Sequence, residues 1–156
     1  MNNQMNNFAY SYGDKKERGR AASFGNKFEP GKKPMSTMAP VMVFNEDNKL
    51  LLITGSPGGA LIPAAILRVI TGVIDFDLNI GEATMLTRVH KDWPKPGIRY
   101  EKTLTPIVVK RLKDMGHGAT SDKTMGSTQS IHIIDGVNYG YSDLRRPGAG
   151  VSIQPN

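Results

Sequence analysis

The pattern of apolar positions predicts a β-hairpin followed by a helix near the middle of the chain. Residues 41–44 and 49–53 form largely apolar runs on either side of a polar cluster at residues 45–48, which is typical of two strands joined by a turn. Both runs are nearly continuous, and this predicts strands that are covered on both faces. Residues 60–75 are apolar almost all round a helical wheel and predict a buried helix. Pro63 is compatible with that helix because it lies in the first turn.

Two further helices are predicted downstream. Asn79 and Glu82 have the spacing of a capping box, which predicts a short helix over residues 80–86. Pro106 at a first helical position and Gly116 as a stop signal predict an amphipathic helix between them.

The remaining segments are predicted to be strands and loops. Residues 119–124 and 128–134 are predicted strands, and the second should pair across Asp135-Gly136 with residues 137–142. Residues 10–33 have little periodicity and predict a long surface loop.

Size and cysteine content limit the classes of protein to consider. A chain of 156 residues is long enough for one ordinary domain with a single core. It has no cysteine, which excludes disulfides and thiolate metal sites. We expect no export signal and no membrane segment, because no apolar run approaches the roughly 20 residues that a membrane helix needs.

The formal net charge is +6, and much of it lies between residues 14 and 33, where seven basic side chains accompany three acidic ones. A solvated loop is the favoured explanation, because no nucleic-acid recognition module or set of stacking aromatics accompanies this charge. We therefore predict no nucleic-acid partner, although the segment could attract anionic substrates. His90, His117 and His132 do not have ligand spacing, so no metal site is predicted.

A glycine-rich corner joins the second predicted strand to the predicted helix. In Thr54-Gly55-Ser56-Pro57-Gly58-Gly59, the glycines allow a tight turn and leave backbone N–H groups accessible. Such N–H groups could stabilise a developing oxyanion. A phosphate-binding P-loop is disfavoured, because Gly59 is followed by Ala60 and not by lysine. A purely structural turn fits this stretch equally well.

Four motifs, in this order and approximate spacing, resemble the small subunit of gamma-glutamyltransferases. They are Asn2-Asn3-Gln4-Met5-Asn6-Asn7-Phe8, Lys33-Pro34-Met35-Ser36-Thr37-Met38-Ala39-Pro40, the glycine corner, and Met125-Gly126-Ser127-Thr128-Gln129-Ser130. Shorter segments also look like that family: Glu82-Ala83-Thr84, Arg88-Val89-His90 and Tyr139-Gly140-Tyr141-Ser142-Asp143-Leu144-Arg145. The chain therefore resembles the C-terminal part of that subunit.

The resemblance implies an α/β fold of the α+β kind, the four-layer αββα sandwich of N-terminal nucleophile hydrolases in incomplete form. It would be a single domain, with residues 1–40 as a substrate-pocket segment and long loop and residues 41–156 as the core. The family's nucleophile is an N-terminal threonine whose own amine can act as base. That threonine is expected upstream of Met1, so the isolated chain is expected to be inactive.

The implied activity is transfer or hydrolysis of the gamma-glutamyl group of glutathione-like amides, without a cofactor. The implied partners are a gamma-glutamyl substrate and the large subunit of the same precursor, in a periplasmic or extracellular location. Two alternatives remain open. One is a non-catalytic remnant that acts as a binding protein, and the other is an amidase similar to glutaryl or cephalosporin acylases.

Six residues match positions that have roles in the family. Gly58 and Gly59 match its oxyanion hole, and Gln4 and Asn7 match residues that contact the amino and carboxylate ends of the substrate. Ser36 and Thr37 match hydroxyl donors to the carboxylate of the glutamyl group.

Asn7 departs from the family pattern, which has aspartate at this position. An amide cannot supply the negative charge that pairs with an ammonium group, and a charge-assisted bond is roughly twice as strong as a neutral one. We therefore expect weakened selection for a free α-amino group, which makes glutaryl-like acyl groups plausible substrates.

Overall fold

The computed structural model describes residues 4–9, 24–36, 38–92 and 94–155. The chain forms two compact units, residues 1–37 and residues 38–156, and the expected single domain stays a prediction. Most of the loop predicted over residues 10–33 lies outside the described residues.

The first unit contains two 3-10 turns, Gln4–Asn7 and Phe24–Asn26. Ala9 forms a parallel bridge with Lys27. The rings of Phe8 and Phe28 meet edge to face, with centroids 5.2 Å apart. These contacts hold the two described stretches of the unit together.

The second unit is built from strands and α-helices that form two sheets. In chain order its elements are β1 (Val41–Phe44), β2 (Leu50–Gly55), α1 (Ile62–Ile74), α2 (Ile80–Met85), β3 (Val89–His90), β4 (Ile98–Glu101), α3 (Pro106–Asp114), β5 (Ala119–Asp122), β6 (Gln129–Ile134), β7 (Val137–Ser142) and β8 (Val151–Pro155). The larger sheet has the order β1-β2-β6-β7-β8, and the smaller one has the order β3-β4-β5. All pairings in the larger sheet are antiparallel, whereas β4 and β5 run parallel.

Both predicted hairpins are confirmed. β1 pairs with β2 from Val41 opposite Thr54. β6 pairs with β7 across Asp135 and Gly136, whose φ angles are +48° and +75°. Positive φ at both central residues is the geometry that tight hairpins favour, because its twist matches that of the strands.

The predicted helix starts are also confirmed. The Asn79 side chain accepts from the Glu82 N–H at 3.0 Å, and the Glu82 carboxylate accepts from the Asn79 N–H at 3.1 Å, so α2 begins with a complete capping box. Pro63 lies in the first turn of α1, and Pro106 opens α3.

The core lies between the larger sheet and the first two helices. Leu52 of β2 packs with Val69 and Val73 of α1 and with Ile80 and Ala83 of α2. One face of the sheet is therefore covered by helices. This packing fixes the orientation of α1 relative to β2.

The predictions of complete burial are wrong for the part of the chain that the structure describes. On the outer side of α1, Leu67 is 60% exposed, and on β1 Met42 is 63% exposed. For α3, which was predicted to be amphipathic, the expected apolar face is not buried either: no residue of α3 is buried, and the neighbouring Met115 is exposed. An apolar segment tends to be buried, but its sequence does not identify what buries it. Among the described residues, none covers these surfaces.

Three strands were not predicted, and each has a weak sequence signal. β3 has only two residues, β4 contains the charged residues Arg99 and Glu101, and β8 lies in the C-terminal segment after Gly148 and Gly150. All five residues of β8 are exposed, so it joins the sheet through backbone pairing with β7.

The position of His132 predicts a pH-dependent stability. His132 pairs with Leu52 and Tyr139 on the helix-covered face, and its buried Nδ1 has no partner among the described residues. Burial lowers the pKa of the imidazole below its ordinary value. Since the unfolded chain then binds the proton more readily, stability should be lost as the pH falls from about 6.5 through the folded-state pKa.

Urea unfolding at about pH 7.5 and about pH 5.5 measures this loss. We expect His132→Leu to reduce the difference in the free energy of unfolding between the two pH values. His117→Leu is the matched control. A wild-type and a His132→Leu chain with the same pH difference would contradict this account.

Candidate active site

The glycine corner lies between the end of β2 at Gly55 and the start of α1 at Ile62. Gly58 has a φ of +143° and Gly59 a φ of +57°, a region of backbone conformation that favours glycine. The Gly58 carbonyl accepts from the Leu61 N–H at 3.1 Å, and the Gly59 carbonyl accepts from the Ile62 N–H. The two carbonyls are therefore turned into the first helical turn.

The N–H groups of the two glycines remain available for a ligand. Within the part of the chain that the structure describes, neither N–H donates to an acceptor, and both glycines are exposed. They also lie just before the N-terminus of α1, where the helix dipole favours negative charge. The corner thus presents two backbone donors, and the role of Gly58 and Gly59 as an oxyanion hole stays a prediction.

The segment Met125–Thr128, which we call the support loop, packs against the corner. The Ser127 N–H donates to Ser56 Oγ at 3.0 Å. At the start of β6, Ser130 Oγ lies 2.8 Å from Thr54 Oγ1 in a buried contact. Two elements that are far apart in the sequence therefore meet directly at the candidate site.

A buried ion pair lies behind the support loop. Arg88 Nη2 is 2.6 Å from Asp143 Oδ2, and the two side chains are 2% and 0% exposed. Arg88 also donates to the carbonyls of Met125 at 2.6 Å and Thr84 at 3.1 Å. Asp143 Oδ2 accepts from the Thr128 N–H at 3.0 Å. The pair therefore holds both ends of the support loop.

A second ion pair completes this arrangement. Arg145 forms a two-point contact with Glu101, with Nη2 to Oε2 at 2.7 Å and Nε to Oε1 at 2.8 Å. Glu101 also accepts from the N–H groups of Arg88 at 2.9 Å and Met125 at 2.8 Å. Arg145 Nη1 lies 3.1 Å from Asp143 Oδ1 and links the two pairs. We call these four charged side chains the ionic network.

Both acids of the network stay ionised. Burial by itself would raise the pKa of Asp143 and of Glu101, but hydrogen bonds and ion pairs outweigh it. The N–H groups of Arg145 and Thr128 and the charge of Arg88 hold the pKa of Asp143 below its ordinary value. Contacts with Arg145, Met125 and Arg88 do the same for the pKa of Glu101.

Sequence reasoning missed the function of the ionic network. Arg88, Asp143 and Arg145 lie in family-like motifs, but no property of those motifs identifies their partners. Asp143 is 55 positions from Arg88, and Glu101 is 44 positions from Arg145. The signal in the sequence that could have indicated the network is the presence of charged residues within motifs that resemble the family.

The first unit brings together three of the predicted pocket residues. Asn7 Nδ2 donates to Gln4 Oε1 at 2.7 Å, and Gln4 Nε2 lies 3.4 Å from Ser36 Oγ. Asn26 donates to the Asn7 carbonyl and accepts from the Met35 N–H. The cluster thus consists of neutral amides and one hydroxyl. Its predicted association with the glycine corner stays a prediction.

Other expectations concern residues or ligands beyond this cluster. Thr37, the sixth predicted site residue, lies outside the described residues. Among the residues that are described, no group of three or more His, Asp or Glu side chains could hold a metal ion. In the same part of the chain, no helix has the length and apolar character needed to cross a bilayer.

Comparison with sequence families and curated proteins gives a consistent result. The family model described as Gamma-glutamyltranspeptidase matches residues 1–153. The chain is 39% identical over 146 residues to the glutathione hydrolase proenzyme of Escherichia coli K12, covering 93% of this chain and 25% of that protein. It is 33% identical over 159 residues to the glutathione hydrolase proenzyme of Pseudomonas aeruginosa, covering 99% of this chain and 28% of that protein. The chain therefore spans about a quarter of the length of these relatives.

Comparison with solved structures gives the same fold. The T380A mutant of Helicobacter pylori gamma-glutamyltranspeptidase superposes with a TM-score of 0.80 at 34% identity, covering 94% of this chain and 81% of that chain. The Pseudomonas nitroreducens gamma-glutamyltranspeptidase complexed with L-DON gives a TM-score of 0.79 at 33% identity, covering 99% and 81%. A cephalosporin acylase from Bacillus halodurans shares the fold, with a TM-score of 0.73 at 24% identity, covering 81% and 24%. The predicted N-terminal nucleophile hydrolase fold class is confirmed.

Removing one acid of the ionic network should strongly destabilise the chain. Asp143→Asn leaves Arg88 and Arg145 with one carboxylate between them, and breaking a buried pair in this way costs about 3–5 kcal/mol. Urea unfolding measures the change. The matched control is Asp114→Asn, which breaks an exposed pair with Lys110 and should cost less than about 1 kcal/mol. Equal effects of the two substitutions would refute the proposed importance of the network.

Proposed function

The chain belongs to the gamma-glutamyltranspeptidase family, and we propose that it forms the oxyanion hole and part of the acyl pocket of a gamma-glutamyl transferase or hydrolase. The family resemblance predicted from the sequence is confirmed by the family model and the curated relatives. The observation that carries the proposal is that the N–H groups of Gly58 and Gly59, held at positive φ before α1, have no acceptor among the described residues. The substrate class is gamma-glutamyl amides such as glutathione, in line with the glutathione hydrolases that the chain resembles.

The geometry fits acyl transfer in the following way. A hydroxyl nucleophile gives its proton to the amine of the same residue and adds to the amide carbon of the substrate, and the carbonyl electron pair moves onto oxygen. The proton held by that amine later goes to the leaving group. The Gly58 and Gly59 N–H groups donate to that oxyanion and stabilise it more than the neutral carbonyl. When the carbonyl re-forms, the C–N bond breaks, the leaving amine takes a proton, and an acyl ester remains for attack by water or an acceptor amine. We assign the nucleophile, an N-terminal threonine, to a segment outside these 156 residues.

The acyl pocket is assigned to residues of the first unit. Ser36 and Thr37 would donate hydrogen bonds from their hydroxyls to the carboxylate of the glutamyl group. Gln4 and Asn7 would contact the amino and carboxylate ends of the substrate. The bond from Asn7 Nδ2 to Gln4 Oε1 supports a shared site for these two amides.

The uncovered apolar surfaces support a large-subunit partner. Leu67 and Ile74 on α1 and Met42 on β1 are exposed large apolar residues, and permanent subunit interfaces are rich in apolar side chains. The chain spans 25% of the E. coli relative, so the remainder of such a precursor is available to cover them. Since both this partner and the nucleophile are assigned outside the 156 residues, we propose that the isolated chain does not turn over substrate.

The oxyanion role is testable in a chimeric enzyme. In the E. coli glutathione hydrolase proenzyme, this chain would replace the segment that it matches, and release of nitroaniline from a gamma-glutamyl anilide would be measured. Gly58→Ala forces a side chain into a φ of +143° and should displace the N–H donors, which lowers kcat about a hundredfold. Gly148→Ala also places a side chain at a positive φ, +80°, outside the corner segment, and is the matched control.

A chimera that releases no nitroaniline would refute the proposed function. Equal kcat values for Gly58→Ala and Gly148→Ala would refute the oxyanion role. Turnover by the isolated 156-residue chain would contradict the assignment of the nucleophile to another segment.

An acylase that prefers glutaryl groups is the second candidate function, and the amide at Asn7, where the family pattern has aspartate, favours it. Asn7→Asp would add a carboxylate that can pair with an α-ammonium group, and charge-assisted bonds are roughly twice as strong as neutral ones. In the chimera, we expect the ratio of kcat/KM for gamma-glutamyl over glutaryl anilide to rise about tenfold. Asn48→Asp, in the exposed turn between β1 and β2, is the matched control. An unchanged ratio would refute a role of Asn7 in acyl-group selection.

A further inference from the structure

The direction of each glycine N–H is set by the carbonyl of the preceding residue. A peptide unit is planar, and in the trans form its C=O and N–H point in opposite directions. The Gly59 N–H shares a plane with the Gly58 carbonyl, which the Leu61 N–H holds at 3.1 Å. The Gly58 N–H shares a plane with the Pro57 carbonyl. Whatever holds the Pro57 carbonyl therefore orients the Gly58 donor.

The Ser56 side chain holds the Pro57 carbonyl. Ser56 Oγ donates to the Pro57 carbonyl oxygen at 2.8 Å. Ser56 Oγ itself accepts a hydrogen bond from the Ser127 N–H at 3.0 Å. Because that N–H can only donate, the hydroxyl proton of Ser56 is left for the Pro57 carbonyl. The hydroxyl thus connects the support loop to the peptide plane of the Gly58 donor.

Gly126 allows this contact by leaving space beside the hydroxyl. It has a φ of +72°, and a Cβ built on it would lie 2.8 Å from Ser56 Oγ and 3.1 Å from Ala65 Cβ. Its Cα lies 3.5 Å from the position that a Gly58 Cβ would take. Backbone therefore packs directly on backbone, and the support loop has little freedom to shift along the corner.

The ionic network fixes the support loop on its other side. Glu101 accepts from the Met125 N–H at 2.8 Å, Arg88 donates to the Met125 carbonyl at 2.6 Å, and Asp143 accepts from the Thr128 N–H at 3.0 Å. The Ser127 N–H lies between these anchored residues. Its position is therefore set by buried charged contacts and not by solvent.

We propose that Ser56 is a positioning residue for the reaction, oriented by the Ser127 N–H, and that it fixes the Gly58 N–H toward the developing oxyanion. This inference rests on the proposed function of the corner as an oxyanion hole. Ser56 touches neither the substrate nor the nucleophile, and it acts through the plane of the Pro57–Gly58 peptide.

The first test uses the 156-residue chain and does not depend on activity. In Ser56→Ala, the ¹H–¹⁵N heteronuclear NOE of the Gly58 amide should fall below its wild-type value, because the peptide plane loses its hydrogen bond. Ser121→Ala, on exposed β5, should leave the Gly58 NOE unchanged. A Gly58 amide that is equally ordered in Ser56→Ala and wild type would overturn the inference.

The second test uses the chimera with gamma-glutamyl and glutaryl anilides. Ser56→Ala should lower kcat, normalised to the folded fraction, about tenfold to a hundredfold, with KM changed less than about twofold. The factor should be the same for both acyl groups, because the oxyanion is common to them. A loss confined to KM, or one that differs between the acyl groups, would overturn the inference.

The two tests distinguish this inference from the proposed function. If the chimera releases no product while Gly58 loses order in Ser56→Ala, the proposed function fails and the structural role of Ser56 stands. If the chimera is active and Ser56→Ala has the wild-type kcat, the function stands and the positioning role fails.

Discussion

The structure depends most on the buried ionic network of Arg88, Asp143, Glu101 and Arg145. Two cations and two anions neutralise each other in the interior, and such a set is costly to bury unless its hydrogen bonds are satisfied. Here Arg88, Glu101 and Asp143 also form hydrogen bonds with backbone groups of the support loop. The charges therefore fix a loop with little regular structure against the glycine corner.

This arrangement explains how the candidate site is organised. The corner presents backbone N–H groups, which have no rotamers to lose, and the support loop restrains the peptide planes that carry them. Preorganised donors of this kind stabilise developing charge without reorganisation during the reaction. The acyl pocket, in contrast, is assigned to amide and hydroxyl side chains, among which Asn7 departs from the family pattern.

Features that depend on neighbouring residues could be predicted from the sequence, and features that depend on distant partners could not. The β1–β2 hairpin and the capping box at Asn79 follow from turn and cap chemistry within a few positions. The glycine corner was recognisable because only glycine accommodates its backbone angles. The partners of Arg88 were not recognisable, because Asp143 lies 55 positions away. Burial of Leu67 was predicted from apolarity, but apolarity does not identify the molecule that covers a surface.

The central claim is that Gly58 and Gly59 hold the oxyanion of an acyl-transfer reaction. The most direct measurement is a crystal structure of the chimera carrying a tetrahedral adduct of a gamma-glutamyl analogue on its nucleophile. The account predicts that the adduct oxygen lies about 2.7–3.1 Å from both glycine nitrogens, with the Ser56 hydroxyl on the Pro57 carbonyl. An adduct oxygen that contacts neither glycine nitrogen and is held by other donors would contradict it.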